Sequence, residues 1–113
     1  MTADYKDYVN GVDKRIGALF KAVPKPMGAY SQLAQSASAG NAIDSKTKEL
    51  MALSIAIATR CEDCIAFHAR AAIGHGAGRD EVAETIAVAV EMGGGPAVVY
   101  GGKALQAFDD LSK

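Results

Sequence analysis

The stretch from Lys48 to His68 limits what this chain can fold into and do more than any other part of it. It carries the only two cysteines, Cys61 and Cys64, and His68 follows the second cysteine by four residues. Because an α-helix turns by about 100° per residue, these three side chains would share one narrow stripe of a helix. Two thiols and an imidazole on one stripe indicate a site rather than scattered residues.

The segment just before the cysteines, 53–59, alternates apolar and polar residues, so a buried strand must be weighed against a helix. A strand that runs into Cys-x-x-Cys would suggest a thioredoxin-like fold. No second strand pattern occurs elsewhere in the chain, and the segment is rich in alanine, with Asp44 as a candidate N-cap upstream. The sequence therefore predicts an all-α fold.

Apolar residues at spacings of three and four predict about six helices in this fold, at about 4–21, 27–39, 45–59, 61–73, 79–92 and 96–111. Pro24 and Pro26 are expected to end the first helix, and glycines separate the later ones. The fifth helix is expected to bury Val82, Ala83, Ile86 and Val90. Gly101 and Gly102, inside the last helix, predict a close packing contact there.

Composition narrows the possible functions. At 113 residues with half of them hydrophobic, the chain is predicted to form one domain over 1–113. Its net charge of −1 gives no footprint for nucleic acid or an anionic membrane. Neither a signal peptide nor a membrane-spanning run is visible, so we expect a cytoplasmic protein. In that compartment a cysteine pair is a redox or metal site more often than a structural disulfide.

The spacing of the cysteine pair supports redox chemistry. A thiol becomes a good nucleophile as thiolate, which a helix N-terminus or a nearby base favours. The pair opens a predicted helix, and His68 lies one turn beyond Cys64. Glu62 and Asp63 act in the opposite direction, since negative charge disfavours thiolate. If one cysteine is oxidised to sulfenic acid, the other can close a disulfide, and an external dithiol can reset the pair.

Other interpretations of these residues stay open. Cys61, Cys64, His68 and His75 are four ligand types that zinc accepts. However, His75 lies beyond the glycine that should end the helix, and the ligand spacing of a zinc finger is absent. We therefore expect neither a metal nor a cofactor. The thiols could also be inert core residues and His68 a structural histidine.

With Glu49 twelve residues before Cys61, the pattern Glu49, Cys61-x-x-Cys64 and His68 resembles the alkylhydroperoxidase D (AhpD)-like, carboxymuconolactone decarboxylase superfamily. The resemblance is strongest over about 44–92 and looser in the outer helices. One departure is that the best-characterised peroxidases of this type carry a histidine where this chain has Asp63.

The resemblance implies an all-α oligomer, commonly a trimer or hexamer, with thiol-dependent peroxidase activity on small alkyl hydroperoxides. It implies Cys64 as the peroxidatic thiol, Cys61 as the resolving thiol, and His68 with Glu49 as a proton relay. The partners would be the hydroperoxide and an external dithiol reductant, lipoyl or thioredoxin-like. Two alternatives are a carboxymuconolactone decarboxylase-type lyase, which has no evident need for a dithiol, and a non-catalytic redox-sensing oligomer.

Overall fold

The computed structural model describes residues 4–113, and every element in that part of the chain is an α-helix, which confirms the all-α prediction. Six helices follow one another along the chain: α1 Tyr5–Ala22, α2 Pro24–Ser38, α3 Ser45–Ala58, α4 Glu62–Gly74, α5 Arg79–Gly93 and α6 Gly95–Leu111. The predicted N-cap at the start of α3 is present, and α1 has an N-cap of the same kind. Asp4 accepts the N–H of Asp7 at 3.2 Å, and Asp44 accepts the N–H of Thr47 at 2.8 Å.

Helices α3 to α6 enclose the hydrophobic core. Its largest fully buried side chains come from three of these helices: Leu53, Ile57, Ile65 and Val82. In the segment whose alternation allowed a strand, Leu53 and Ile57 are buried, whereas Ile55 between them is exposed. Buried positions four residues apart match a helix face that packs on a core.

Helices α1 and α2 form a hairpin at the edge of this core. The prediction that Pro24 and Pro26 only end α1 was wrong in one respect, because both lie in the first turn of α2. Proline suits that turn, since its fixed φ is helical and its missing N–H has no helical acceptor there. Val23 alone separates the two helices. No residue of α2 is buried.

Two further packing predictions need correction. Ala83 is exposed, while Val82 on the same helix is buried. Of the glycine pair in α6, only Gly101 needs to be small, because a Cβ there would lie 2.6 Å from Cγ2 of Ile86. A Cβ on Gly102 would meet nothing within 4 Å. Close packing between α5 and α6 therefore explains one glycine of the pair.

Within residues 4–113, no helix is long and apolar enough to cross a membrane.

Candidate active site

The turn between α3 and α4 delivers the first cysteine. After α3 ends, Arg60 adopts a left-handed conformation with φ 59°. Its N–H donates to the carbonyl oxygen of Ile57 at 3.1 Å, and the N–H of Cys61 donates to that of Ala56 at 3.0 Å. This is the Schellman pattern that ends many helices, formed here without the usual glycine. The turn leaves Cys61 at the position that starts the next helix.

Cys61 is the N-cap of α4 rather than its first helical residue, which corrects the prediction of a helix starting at 61. Its Sγ accepts the N–H of Cys64 at 3.2 Å. The two sulfurs are joined as a disulfide. Both cysteines are half-buried. The disulfide thus lies at a helix N-terminus, where the partial positive charge of the helix dipole stabilises a thiolate after reduction.

Glu49 and His68 meet across the contact between α3 and α4. Nδ1 of His68 lies 2.8 Å from Oε1 of Glu49. The side chain of Glu49 is 10% exposed and that of His68 is 29% exposed. An ionised carboxylate can only accept a hydrogen bond, so Nδ1 is the donor. In the neutral ring this leaves Nε2 as the nitrogen that can accept a proton.

A cavity of about 440 Å³ lies between the α1–α2 hairpin and α4. Cys64 and His68 both line it, and so does Asp63. Its other walls are mostly apolar and are formed by α1, α2 and one residue of α4: Val12, Ile16, Phe20, Tyr30, Ala34 and Phe67, with Arg15 and Ser31 as further polar members. One cysteine of the disulfide, the histidine and an apolar space therefore share one pocket.

Side chains of α1 bind the two acidic residues that lie between the cysteines. The Tyr8 hydroxyl donates to Oδ1 of Asp63, and Nη2 of Arg15 donates to Oδ2 at 3.2 Å. The Tyr5 hydroxyl donates to Oε2 of Glu62 at 2.9 Å. The hydrogen bond from Tyr8, with a smaller contribution from Arg15, holds the pKa of Asp63 below its usual value. Burial, followed by the bond to Asp63, raises the pKa of Tyr8 to about 12.

Sequence reasoning missed the contribution of α1 to this site. It gave neither Tyr8 nor Arg15 a role in the site. The missed signal is their spacing of seven residues, which puts both on the same side of a helix. Nothing in one sequence, however, identifies Asp63 as their shared partner.

His75, the fourth ligand of the zinc alternative, is placed apart from the other three residues. It caps the end of α4, where its Nδ1 donates to the carbonyl oxygen of Ala71 at 2.9 Å. In the part of the chain that the structure describes, no group of three or more His, Cys, Asp and Glu side chains is arranged to hold a metal ion.

Comparison with known proteins places the chain in a family. Residues 24–109 match the sequence model of the carboxymuconolactone decarboxylase family. The chain belongs to this family. The finding confirms the resemblance seen in the cysteine, histidine and glutamate pattern.

Relatives of the same length extend this family assignment. A protein of Cupriavidus necator is 38% identical over 112 residues, which cover 99% of each chain. The crystal structure of an apo carboxymuconolactone decarboxylase family protein from Legionella pneumophila superposes with a TM-score of 0.93. That protein is 38% identical, with 96% of this chain and 97% of the other covered.

A more distant family member shares the fold. A protein from Thermotoga maritima, suggested to be involved in an antioxidative response, superposes with a TM-score of 0.82 at 23% identity. The superposition covers 93% of this chain and 90% of that one. At this identity the likeness shows that the helical architecture is common to both.

Proposed function

We propose that the chain is a thiol-dependent peroxidase that reduces organic hydroperoxides with the Cys61–Cys64 dithiol. One observation carries the proposal: Cys64 of the disulfide lines the same cavity as His68, whose ring is held by Glu49. A redox pair, a base and a space for an apolar substrate are the parts that such a reaction needs.

The reaction begins with the reduced pair. The thiolate of Cys64 attacks the outer oxygen of the hydroperoxide, the O–O bond breaks, and the alcohol leaves after taking up a proton. Cys64 is then a sulfenic acid. The thiol of Cys61 attacks this sulfur, an S–S bond forms, and water leaves. The two thiols have lost two electrons, and one hydroperoxide has become one alcohol and one water.

His68 and Glu49 move the proton in this scheme. His68 accepts the proton of the Cys64 thiol before the attack and returns it to the leaving oxygen. Nε2 performs this exchange, because Glu49 keeps the proton of Nδ1 in place. The carboxylate also stabilises the imidazolium that forms in between. Glu49 is well suited to this role because α3, which carries it, is packed into the core.

The pair is reset by an external dithiol, lipoyl or thioredoxin-like. One donor thiolate attacks the disulfide, a mixed disulfide forms, and the second donor thiol releases it, so that the donor leaves oxidised. The half-buried position of both cysteines leaves an approach for such a donor. Since the reset needs a supply of reducing equivalents, we place the reaction in the cytoplasm.

The cavity favours a substrate with an apolar body. Side chains such as Val12, Ile16 and Phe67 line it, and they offer hydrogen peroxide little to bind. An alkyl or aryl group gains burial there, at about 25 cal/mol for each Å² of apolar surface removed from water. We therefore expect a higher kcat/KM for cumene hydroperoxide than for hydrogen peroxide.

A turnover assay with single-cysteine variants tests the proposal. The reduced protein, supplied with dihydrolipoamide or thioredoxin, is expected to consume cumene hydroperoxide over many turnovers. Cys64→Ser should abolish consumption, and Cys61→Ser should stop at the Cys64 sulfenic acid, which a sulfenic-acid probe would label. Consumption by Cys64→Ser at the wild-type rate would contradict the proposal. Oxidation of the wild-type thiols without turnover for any donor would favour the redox sensor instead.

Membership in the family supports a second candidate, the decarboxylation of a carboxylated lactone. This chemistry has no evident need for the disulfide. Lactone turnover retained in the Cys61→Ser, Cys64→Ser double variant would favour the decarboxylase, and loss of all lactone turnover would leave the peroxidase as the proposal.

We also propose that the chain acts as a homo-oligomer, a trimer or a hexamer. Large apolar side chains on several helices are more than half exposed, among them Ile55 at 61%, Val99 at 63% and Met92 at 80%. Exposed apolar surface of this extent is typically covered by association. Sedimentation velocity is expected to show a species of three or six chains, and a stable monomer at micromolar concentration would contradict this.

A further inference from the structure

The carboxylate of Asp63 opposes the reactivity of the residue that follows it. Cys64 must become a thiolate to attack, and a negative charge next to it in the chain disfavours that form. In the structure each oxygen of Asp63 has its own donor from α1. Tyr8 donates to Oδ1 and Arg15 donates to Oδ2. The charge is therefore held toward α1 by two contacts.

Arg15 is placed to act on the cysteine as well as on the carboxylate. It lines the cavity together with Cys64 and Asp63. Of the described side chains that line the cavity, Arg15 alone carries a permanent positive charge. An arginine paired with Asp63 makes the pair neutral as seen from the sulfur. The same Asp63 without its arginine would be an uncompensated charge beside the thiol.

The acidic groups around the cysteine other than Asp63 have partners of their own. On α3 and α4, Glu49 is bound to His68. Glu62 lies 3.6 Å from Nζ of Lys103 on α6. From α2, Tyr30 adds a phenol to the cavity lining. The balance of charge next to Cys64 therefore depends on the pair formed by Asp63 and the α1 arginine.

We propose that Arg15, oriented by Tyr8 through their shared partner Asp63, is a positioning residue that keeps Cys64 reactive by compensating the carboxylate. It acts on the sulfur through the electrostatic balance of the cavity and need not touch the substrate. The biological meaning of this role rests on the proposed peroxidase function. Its effect on the thiol can be measured without any peroxide.

The protonation states agree with this arrangement. Because the bond from Tyr8 and the charge of Arg15 keep the pKa of Asp63 low, the carboxylate is ionised at neutral pH. The raised pKa of Tyr8, about 12, keeps its hydroxyl protonated, so that it remains a donor. The contacts of Tyr8 and Arg15 with Asp63 are thus intact over the whole pH range in which a thiol titrates.

The test measures the alkylation of Cys64 by iodoacetamide as a function of pH in the reduced full-length Cys61→Ser protein. Serine is a good N-cap and preserves the helix start, and Cys64 is then the only thiol. Arg15→Gln, which keeps a polar side chain without the charge, is expected to shift the profile to higher pH. At pH 7 alkylation should be about 3- to 10-fold slower, since one pKa unit corresponds to tenfold.

Three further variants make the result specific. Arg15→Lys should stay within about twofold of the parent, because the charge is retained. Asp63→Asn added to Arg15→Gln should restore the parent profile, because no carboxylate is left to compensate. Arg70→Ala, which removes the same charge and another ion pair between α1 and α4, should leave the profile in place.

Two results would overturn the proposal: an unchanged profile in Arg15→Gln, or a slow profile that Asp63→Asn does not restore. A loss of structure in Arg15→Gln would be seen by circular dichroism. The Arg15→Gln, Asp63→Asn double variant would then still decide the question. Failure of the peroxidase function itself would appear differently, as normal alkylation profiles in a protein that consumes no hydroperoxide.

Discussion

The two walls of the cavity are held in place by different interactions, one mainly by hydrophobic packing and the other largely by polar contacts. The wall that carries Cys64 and His68 belongs to α4, which packs with α3 and α6 around a core where Leu53 and Ile65 are fully buried. The facing wall is the α1–α2 hairpin. Its second helix has no buried residue, and its first buries only Val9 and Val12.

Polar contacts tie the hairpin to the rest of the molecule. Asp13 forms an ion pair with Arg70 through two hydrogen bonds. The backbone N–H of Tyr5 donates to Oδ2 of Asp110 at 3.0 Å. Exposed ion pairs of this kind contribute about 0–1 kcal/mol each, far less than a buried leucine. Cys64 and His68 therefore lie on the firmly packed wall, and the weakly held α1–α2 hairpin forms most of the rest of the cavity lining.

The largest effect expected from this difference is on stability. Leu53→Ala should lower the free energy of unfolding by about 2–5 kcal/mol, because it opens a cavity in the packed core. The matched change Leu33→Ala, in α2, should cost less than about 0.5 kcal/mol, since that side chain is 64% exposed. Urea unfolding of both variants measures the difference. Equal losses would mean that the hairpin is as firmly packed as the core.

The next effect concerns the proposed proton relay formed by Glu49 and His68. Glu49→Gln should lower the rate of Cys64 reaction with hydroperoxide by about 10- to 100-fold, because an amide stabilises the imidazolium of His68 less than a carboxylate does. Stopped-flow oxidation of the reduced protein measures this rate. Glu81→Gln serves as the control, because Glu81 is paired with Lys46 outside the cavity. A wild-type rate in Glu49→Gln would remove this carboxylate from the mechanism.

A smaller effect is expected at the contact between the walls. Tyr8→Phe should lower the free energy of unfolding by about 1 kcal/mol, because Asp63 loses one of its two donors. Tyr30→Phe, at a position that is 61% exposed, should change it by less than about 0.5 kcal/mol. Chemical denaturation of the two variants gives the comparison, and an equal response would show that the Tyr8 bond adds nothing.

The smallest effect is the response of the hairpin to acid. The pKa values of Asp13 and Asp63 are lowered, chiefly by hydrogen bonds from Arg70 and Tyr8 respectively. A carboxyl whose folded pKa lies below its unfolded value stabilises the fold above the unfolded pKa, and this stabilisation is lost as the pH falls through the folded value. Stability should therefore decline below about pH 4.

Both carboxylates are nearly half exposed, so solvent screening limits their joint effect to less than about 1 kcal/mol. Denaturant titrations at pH 5 and pH 3 measure the decline. The Asp13→Asn, Asp63→Asn double variant should show a smaller one, and an identical decline in that variant would assign the acid response to other groups.

The packed wall could be predicted from the sequence to a large extent. Apolar spacing indicated α3 and α4, and the Cys-x-x-Cys and His68 pattern indicated a candidate redox site. Local pattern suffices there because buried residues four apart and a capped start reflect the same packing. Glu49 was named from the family resemblance, and the structure brings it into contact with His68.

The facing wall could not be predicted in the same way. The contact of Tyr8 and Arg15 with Asp63 joins residues about 50 positions apart in sequence, and only the packing of α1 on α4 brings them together. The start of α2 at Pro24 was also missed, because a proline ends one helix as readily as it begins the next. Contacts between distant elements leave little trace in a single sequence.

The most direct test of the redox site is a count of free thiols in the reduced protein after addition of one equivalent of cumene hydroperoxide. The dithiol placed beside His68 and Glu49 predicts a fall from two thiols to none, with one equivalent of alcohol formed. The Cys64→Ser variant should keep its one remaining thiol. Two free thiols in the wild-type protein after prolonged exposure would contradict the assignment of Cys64 as the residue that attacks the hydroperoxide.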